Sequence, residues 1–311
     1  MFLWISLSIV AQFINAFVAV IDRYIVASGK VGRPIVLTFY VSLLSALGIF
    51  AFGFSWIDLP FDNIQLPNIV NITWPNLMMV ILSLLSAASF IFALYYLFSA
   101  FSLSEASDVV PVVSSISAVS SLLFSFYLLD TVLSGNFLWG FAFLVIGTFL
   151  IAHFRMHKKL IFFCVGSGFL FGLHYVLIKM LFNETNFDNA FFWSRLIIAI
   201  SALSLLLLPN CCGRNVASDT KRAGKGGLFL VLFNKLLAGI AGILILKSVE
   251  LGDVAIVQAL SGLQFVFLLI FAILFGHKAP KCIGENCESR DRVQKVVSVS
   301  IIVTGFSLLF V

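Results

Sequence analysis

Six polar side chains stand inside long apolar stretches of this sequence, where they could together bind a small polar molecule. A polar or charged side chain surrounded by apolar residues is costly to bury, so it is a candidate for function. His174 could bind a ligand or carry a proton, because imidazole gains or loses a proton near neutral pH. The candidate substrate-binding residues are Asn15, Ser114, His174, Arg195, Lys235 and Gln258.

Each candidate also has a structural interpretation, which the sequence leaves open. Asn15 could hydrogen-bond between helices, and His174 could be a satisfied packing residue. Ser114 belongs to a stripe of serines, and small hydroxyl residues let helices approach closely. Lys235 could be paired with Asp22 or another acid.

The depth of Lys235 carries the main prediction for the site. Lys235 lies about eight residues into its predicted helix, which at ~1.5 Å per residue places it roughly 12 Å below the membrane surface. An ammonium facing lipid there would cost about 2.5–3.5 kcal/mol even on a lenient scale, so it should face a cavity. We expect Lys235 to bind a negative group of the substrate, with Gln258 and His174 completing the site. Since no carboxylate lies as deep as His174 in the predicted helices, the sequence favours substrates that carry a carboxylate or phosphate.

Composition identifies the elements that must position these residues. Of 311 residues, 61% are hydrophobic and 11% charged, whereas soluble domains are roughly 45–50% apolar and ~25% charged. The apolar runs are long enough to span a bilayer as helices. The sequence predicts an all-α integral membrane protein with ten transmembrane helices, at about 2–22, 34–56, 76–101, 108–129, 135–154, 160–182, 189–208, 227–247, 253–276 and 293–311.

The sequence also contains an internal repeat. Sliding it by 156 positions pairs Arg23 with Lys179, and sliding it by 147 pairs Pro111 with Gln258. We therefore predict two five-helix repeats, residues 1–155 and 156–311. Because five is odd, the second repeat would be inverted in the membrane, an arrangement characteristic of secondary transporters.

These features resemble the drug/metabolite transporter superfamily, EamA type. The resemblance rests on Arg23 and Lys179, on Arg195 in FFWSRLIIA and on the stretch EASDVVPVVSS before Ser114. It covers essentially the whole chain. It implies ten helices in two inverted repeats, transport of a metabolite and both termini in the cytoplasm.

Charge gives the opposite orientation. Lysine and arginine concentrate in the loops after the first, fifth, seventh and ninth predicted helices. The positive-inside rule places those loops in the cytoplasm and both termini outside. The sequence leaves the two orientations open.

The predicted function is secondary active transport of a small polar metabolite, anionic or zwitterionic, by alternating access. We expect a multi-pass protein of the plasma or inner membrane, with the lipid bilayer and the metabolite as partners and protons as a possible coupling ion. A channel, or a scaffold or receptor that transports nothing, is the alternative.

We expect neither enzymatic activity nor a cofactor, and no nucleic-acid partner. The sequence has no H-E-x-x-H, G-x-S-x-G or nucleotide-binding glycine loop. We expect no metal either, since four loop cysteines have spacings that fit no standard zinc site and are interpreted as unpaired thiols, namely Cys211, Cys212, Cys282 and Cys287.

Overall fold

The described part of the chain is entirely helical. The computed structural model describes residues 3–27, 33–54, 67–104, 106–131, 135–151, 157–207, 213–275 and 289–308, and it contains no strand within them. Short 3₁₀ segments cover Ser45–Phe54, Ile69–Asn71, Leu205–Leu207 and Leu260–Gly262. The α-helices are α1 (Leu3–Ala27), α2 (Pro34–Leu44), α3 (Leu77–Phe101), α4 (Ala106–Leu129), α5 (Gly135–Ile151), α6 (Lys158–Glu184), α7 (Phe187–Ser204), α8 (Gly213–Leu251), α9 (Val254–Ala259), α10 (Leu263–Phe275) and α11 (Ser289–Leu308).

Six of the described segments are long and apolar enough to cross a membrane. Shorter apolar helices cover Phe137–Leu150 and Val254–Leu268. Large apolar side chains stand on the outside of these helices, as expected for a protein whose surroundings are lipid. The long candidate spans are Leu3–Val26, Pro34–Gly53, Leu77–Phe101, Asp108–Leu129, Lys158–Glu184 and Phe229–Leu251.

Several helix boundaries differ from the predicted ones, each for a physical reason. The first helix was expected to end at Asp22 but continues to Ala27, because Asp22 and Arg23 find partners on neighbouring helices. The eighth begins at Gly213 rather than near 227, so the helix starts before its apolar run does. The ninth is interrupted by the 3₁₀ turn Leu260–Gly262, at a glycine that packs closely on Thr148.

The main packing partners are α3 with α6, α4 with α6, α1 with α8 and α5 with α11. The α4–α6 contact is close because α6 presents glycines to α4. A Cβ at Gly168 would lie 2.7 Å from the carbonyl oxygen of Val113, and one at Gly172 would lie 2.8 Å from that of Ser117. The serine stripe of α4 therefore serves helix packing along part of its length, as small residues do in membrane proteins.

Two basic residues donate hydrogen bonds to the carbonyl oxygens at the ends of neighbouring helices. Arg23, near the end of α1, donates from Nη1 to the carbonyl oxygen of Phe101, the last residue of α3, at 2.7 Å. Lys179, near the end of α6, donates to the carbonyl oxygens of Val249, Glu250 and Gly252 at 2.9, 2.8 and 3.1 Å, where α8 ends. The terminal carbonyls of a helix lack partners within it and carry partial negative charge, so a cation stabilises them.

The close contact at Gly172 gives a stability prediction. Gly172→Ala should lower the melting temperature, since its Cβ would meet backbone atoms of Ser117 and Ser121 within 2.9 Å, and overpacking costs roughly 1–3 kcal/mol. Gly239→Ala is the matched control. A Cβ there meets nothing within 4 Å, and helix propensity favours alanine by about 0.8–1 kcal/mol.

Thermal unfolding of both variants in detergent would measure the effect. Equal melting temperatures for the two variants would contradict the close α4–α6 approach.

Candidate functional site

A cavity of about 260 Å³ lies among the helices, and all six predicted site residues line it. They come from six different elements: Asn15 from α1, Ser114 from α4, His174 from α6, Arg195 from α7, Lys235 from α8 and Gln258 from α9. Residues far apart in the sequence are thus brought to one enclosed space. Their role in binding a substrate stays a prediction.

Lys235 forms an ion pair inside this cavity. Its Nζ lies 2.6 Å from Oδ1 and 2.8 Å from Oδ2 of Asp22, and the two side chains are only 4% and 8% exposed. Nδ2 of Asn234 donates to Asp22 Oδ1 at 2.9 Å. The ammonium also stands 5.6 Å from the centre of the Phe98 ring. Asp22 thereby joins α1 to α8.

This pairing corrects two parts of the sequence interpretation. Lys235 faces the cavity, but its charge is already neutralised by Asp22, the structural alternative for this residue. Asp22, which the sequence placed at the end of the first helix, lines the cavity, because α1 continues past it to Ala27. The ion pair contributes no net charge to the space.

Arg195 contributes the net charge instead. No described acidic side chain forms an ion pair with Arg195, and its Nε is buried without a hydrogen-bond partner. Its guanidinium lies 5.5 Å from the centre of the Phe191 ring, a favourable cation–π distance. A guanidinium whose Nε has no partner is suited to receive an anion, since carboxylates match its planar fork.

His174 is held in place by α3. Its Nδ1 lies 3.0 Å from the carbonyl oxygen of Ser86 and 2.9 Å from the hydroxyl of the same residue. Its ring packs against those of Phe90 and Tyr175, with centroids 4.9 and 5.1 Å away. A proton on Nδ1 donated to the Ser86 carbonyl leaves Nε2 as the nitrogen available to a ligand.

Side-chain amides form a polar wall across the cavity. Oε1 of Gln258 accepts from the hydroxyl of Ser117 at 3.0 Å, which ties α9 to α4. Nε2 of Gln264 donates to the carbonyl oxygen of Asn15 at 3.0 Å. Gln12, on α1, is only 2% exposed, and its Oε1 has no hydrogen-bond partner. This wall therefore still offers an unused acceptor.

One apolar part of the cavity lining comes from α3. Five residues of α3 line it, with Phe171 of α6 beside them. Apolar surface here would contact the body of a ligand whose polar groups point to the polar wall. The α3 residues are Phe90, Leu94, Leu97, Phe98 and Phe101.

The structure adds polar lining residues that the sequence did not assign to the site, among them Gln12, Tyr175 and Gln264. Gln12 precedes Asn15 by three positions, a spacing that shares a helix face and could have identified it. Tyr175 and Gln264 had no such signal, because either could equally have faced lipid or packing. Cys211, Cys212, Cys282 and Cys287 lie outside the described residues.

Comparison with known proteins finds likeness in structure alone. No family profile matches the sequence, and no curated protein matches it. Twenty-six chains of solved structures do match. One, described only as a crystal structure of a protein, superposes with a TM-score of 0.64 over 97% of this chain and 95% of its own, at 16% sequence identity. At that identity the likeness shows a shared fold.

The ion pair leads to a stability prediction. Lys235→Met and Asp22→Asn should each destabilise the protein, Lys235→Met because it leaves a buried carboxylate without its counter-charge; breaking a buried pair costs roughly 3–5 kcal/mol. The double variant should recover much of the loss.

Lys247→Met is the control, because Lys247 pairs with Glu250 at partly exposed positions, where an ion pair contributes about 0–1 kcal/mol. Melting temperatures of the four variants measure the coupling. Additive losses in the double variant would contradict a stabilising pair.

Proposed function

We propose that this protein is a secondary active transporter that moves a small anionic metabolite across a membrane by alternating access. The observation that carries the proposal is a cavity, among helices of membrane-spanning length, that contains an arginine with no ion-pair partner among the described acidic residues. A structural role for Arg195 would normally come with an acidic partner, because an unpaired buried charge is destabilising.

Cavity size supports a small substrate. Pockets for drug-sized ligands are roughly 300–1,000 Å³, so about 260 Å³ fits a molecule at or below the small end of that range. The lining combines apolar side chains with a few converging polar groups, which is the usual composition of a ligand site.

The packing pattern supports two inverted five-helix repeats, with residues 1–155 and 156–311 as their bounds. In that scheme α6 is the second copy of α1, and α8 is the second copy of α3. In a repeat of this kind, each contact between two helices has a counterpart between their copies. The counterpart of the α3–α6 contact is the α8–α1 contact, and both are among the main contacts of the fold. Arg23 on α3 and Lys179 on α8 form a second such pair. We include membership of the drug/metabolite transporter superfamily in the proposal on these grounds.

The first test replaces the unpaired cation. Arg195→Gln in purified protein in liposomes should reduce uptake of the transported compound by at least about tenfold, since a hydrogen bond to a charged group is worth roughly 1.5–3 kcal/mol. Compounds to screen are amino acids, organic acids and sugar phosphates, under a proton gradient. Arg33→Gln is the control, because Arg33 is exposed at the start of α2.

Two results would overturn the proposal. One is wild-type protein that moves no compound of any class but conducts ions in planar bilayers, as a channel would. The other is Arg195→Gln protein that keeps full uptake.

The second test fills the cavity without disturbing the fold. Gly242 lines the cavity, and a Cβ there meets nothing within 4 Å. Gly242→Leu should therefore block transport while the melting temperature stays at or above that of the wild type. Gly135→Leu places the same side chain in open space at the start of α5, away from the cavity lining, and should leave uptake unchanged. Normal uptake by the Gly242→Leu variant would show that transport does not pass through this cavity.

A further inference from the structure

Two buried polar atoms in the cavity have no hydrogen-bond partner among the described residues, and they are of opposite type. Nε of Arg195 is a donor that carries positive charge, and Oε1 of Gln12 is an acceptor. Both residues line the same cavity, and Gln12 is almost fully buried. Buried polar atoms normally have partners, so two unpaired atoms of opposite type on residues that line one cavity point to a ligand that partners both.

These two atoms lie at the same level of the molecule. The start of α1 meets the end of α8, since the hydroxyl of Ser248 donates to the carbonyl oxygen of Trp4 at 2.6 Å. Lys179 holds the end of α6 against that same end of α8, and α7 begins two residues after α6 ends. The starts of α1 and α7 are therefore at one end of the molecule.

Counting along the helices then gives the depth. Gln12 is nine residues after Leu3, where α1 begins, and Arg195 is eight residues after Phe187, where α7 begins. At ~1.5 Å per residue both lie roughly 12–14 Å from that end, close to the middle of a ~30 Å hydrocarbon core. A ligand lying across the cavity could reach both.

The charge of the cavity limits the charge of that ligand. Asp22, Lys235 and Arg195 are the lining residues charged at neutral pH, and the first two neutralise each other. One positive charge remains. A single negative charge would balance it, whereas a phosphate ester, at about −1.5 to −2 near neutral pH, would leave negative charge buried. A zwitterion would add a cation that no described carboxylate balances.

The apolar wall limits the rest of the molecule. Phe90, Leu94 and Phe98 of α3 face the space and cannot hydrogen-bond a substrate covered with hydroxyl groups. Burying hydroxyls against this wall would be unfavourable, so sugars and sugar acids fit poorly. An apolar body fits well, because it removes further apolar surface from water.

We infer that the substrate is a monocarboxylic acid with an apolar body and one neutral hydrogen-bond donor, an O–H or N–H group. The carboxylate binds Arg195, the donor binds Oε1 of Gln12, and the body lies against α3. This inference rests on the proposed function, since it names the substrate class of the same site.

The experiment measures binding by isothermal titration to purified protein in detergent, with five related probes. 3-Phenyllactate and 3-(4-hydroxyphenyl)propionate carry one negative charge and a hydroxyl donor, near to and far from the carboxylate. 3-Phenylpropionate lacks the donor, phenylsuccinate adds a second negative charge, and phenylalanine makes the donor a cation. We expect at least one hydroxylated acid to bind at least about tenfold more tightly than the other three probes, because each of them leaves a buried group unpaired or a charge unbalanced.

Variants assign the two contacts. Gln12→Leu should bring the hydroxylated acid and 3-phenylpropionate to within about twofold of each other, because the acceptor that distinguishes them is gone. Arg195→Gln should weaken both acids by at least about tenfold and keep their ratio. Gln264→Leu is the matched control for Gln12, since Nε2 of Gln264 already donates to Asn15, and it should also keep the ratio.

Three results would overturn the inference. They are tightest binding of phenylsuccinate or phenylalanine, equal binding of all five probes, and a preference for the hydroxylated acid that survives Gln12→Leu. No binding by any probe also overturns it, while uptake of a compound of another class would leave the proposed transport function standing. Binding in the expected order without flux in liposomes would support the inference and refute transport.

Discussion

Charge buried among apolar helices is the constraint on which the rest of this structure depends. Asp22 and Lys235 satisfy it by pairing at 2.6 Å across α1 and α8, with the amide of Asn234 on the same carboxylate. The pair fixes how two helices distant in sequence face each other. It also neutralises both charges, so that Arg195 is left to set the electrostatic character of the cavity. In the proposed site, the positive charge of Arg195 can select an anion because the charges of Asp22 and Lys235 neutralise each other.

Arg195 and Lys235 look alike in the sequence, since both are cations within apolar helices, yet the structure gives them different chemistry. Lys235 is paired with its counter-ion, Asp22, and this pair stabilises the structure. Arg195 has an aromatic neighbour and an unpaired Nε. A cation paired within the protein must give up a partner before it can bind a ligand, whereas an unpaired one gains by binding. This difference is why the proposed anion-binding role falls to Arg195 and not to Lys235.

Local pattern was enough to predict the helical class, most span positions and six of the residues that line the cavity. Apolar runs set the spans, and polar residues within them could only face protein or a cavity. The partner of Lys235 could not be predicted, because any of several acids might approach it and the choice depends on how helices pack. Asp22 was misjudged for a related reason. The sequence pattern predicts that α1 ends at this charged residue, but its partners on a neighbouring helix allow α1 to continue to Ala27.

Lys179 and Arg23 each hydrogen-bond to carbonyl oxygens at the end of a neighbouring helix, but they differ in the number of these hydrogen bonds. The ammonium of Lys179 donates to three carbonyl oxygens at the end of α8, whereas Arg23, within the described part of the chain, donates to one carbonyl oxygen at the end of α3. A motion that parts α6 from α8 has to hydrate an ammonium and three carbonyl oxygens together, so water must enter as the helices separate. Parting α1 from α3 exposes fewer groups. In the proposed transport cycle, parting the helices at the end of α8 would therefore require more polar groups to be hydrated at once than parting them at the end of α3.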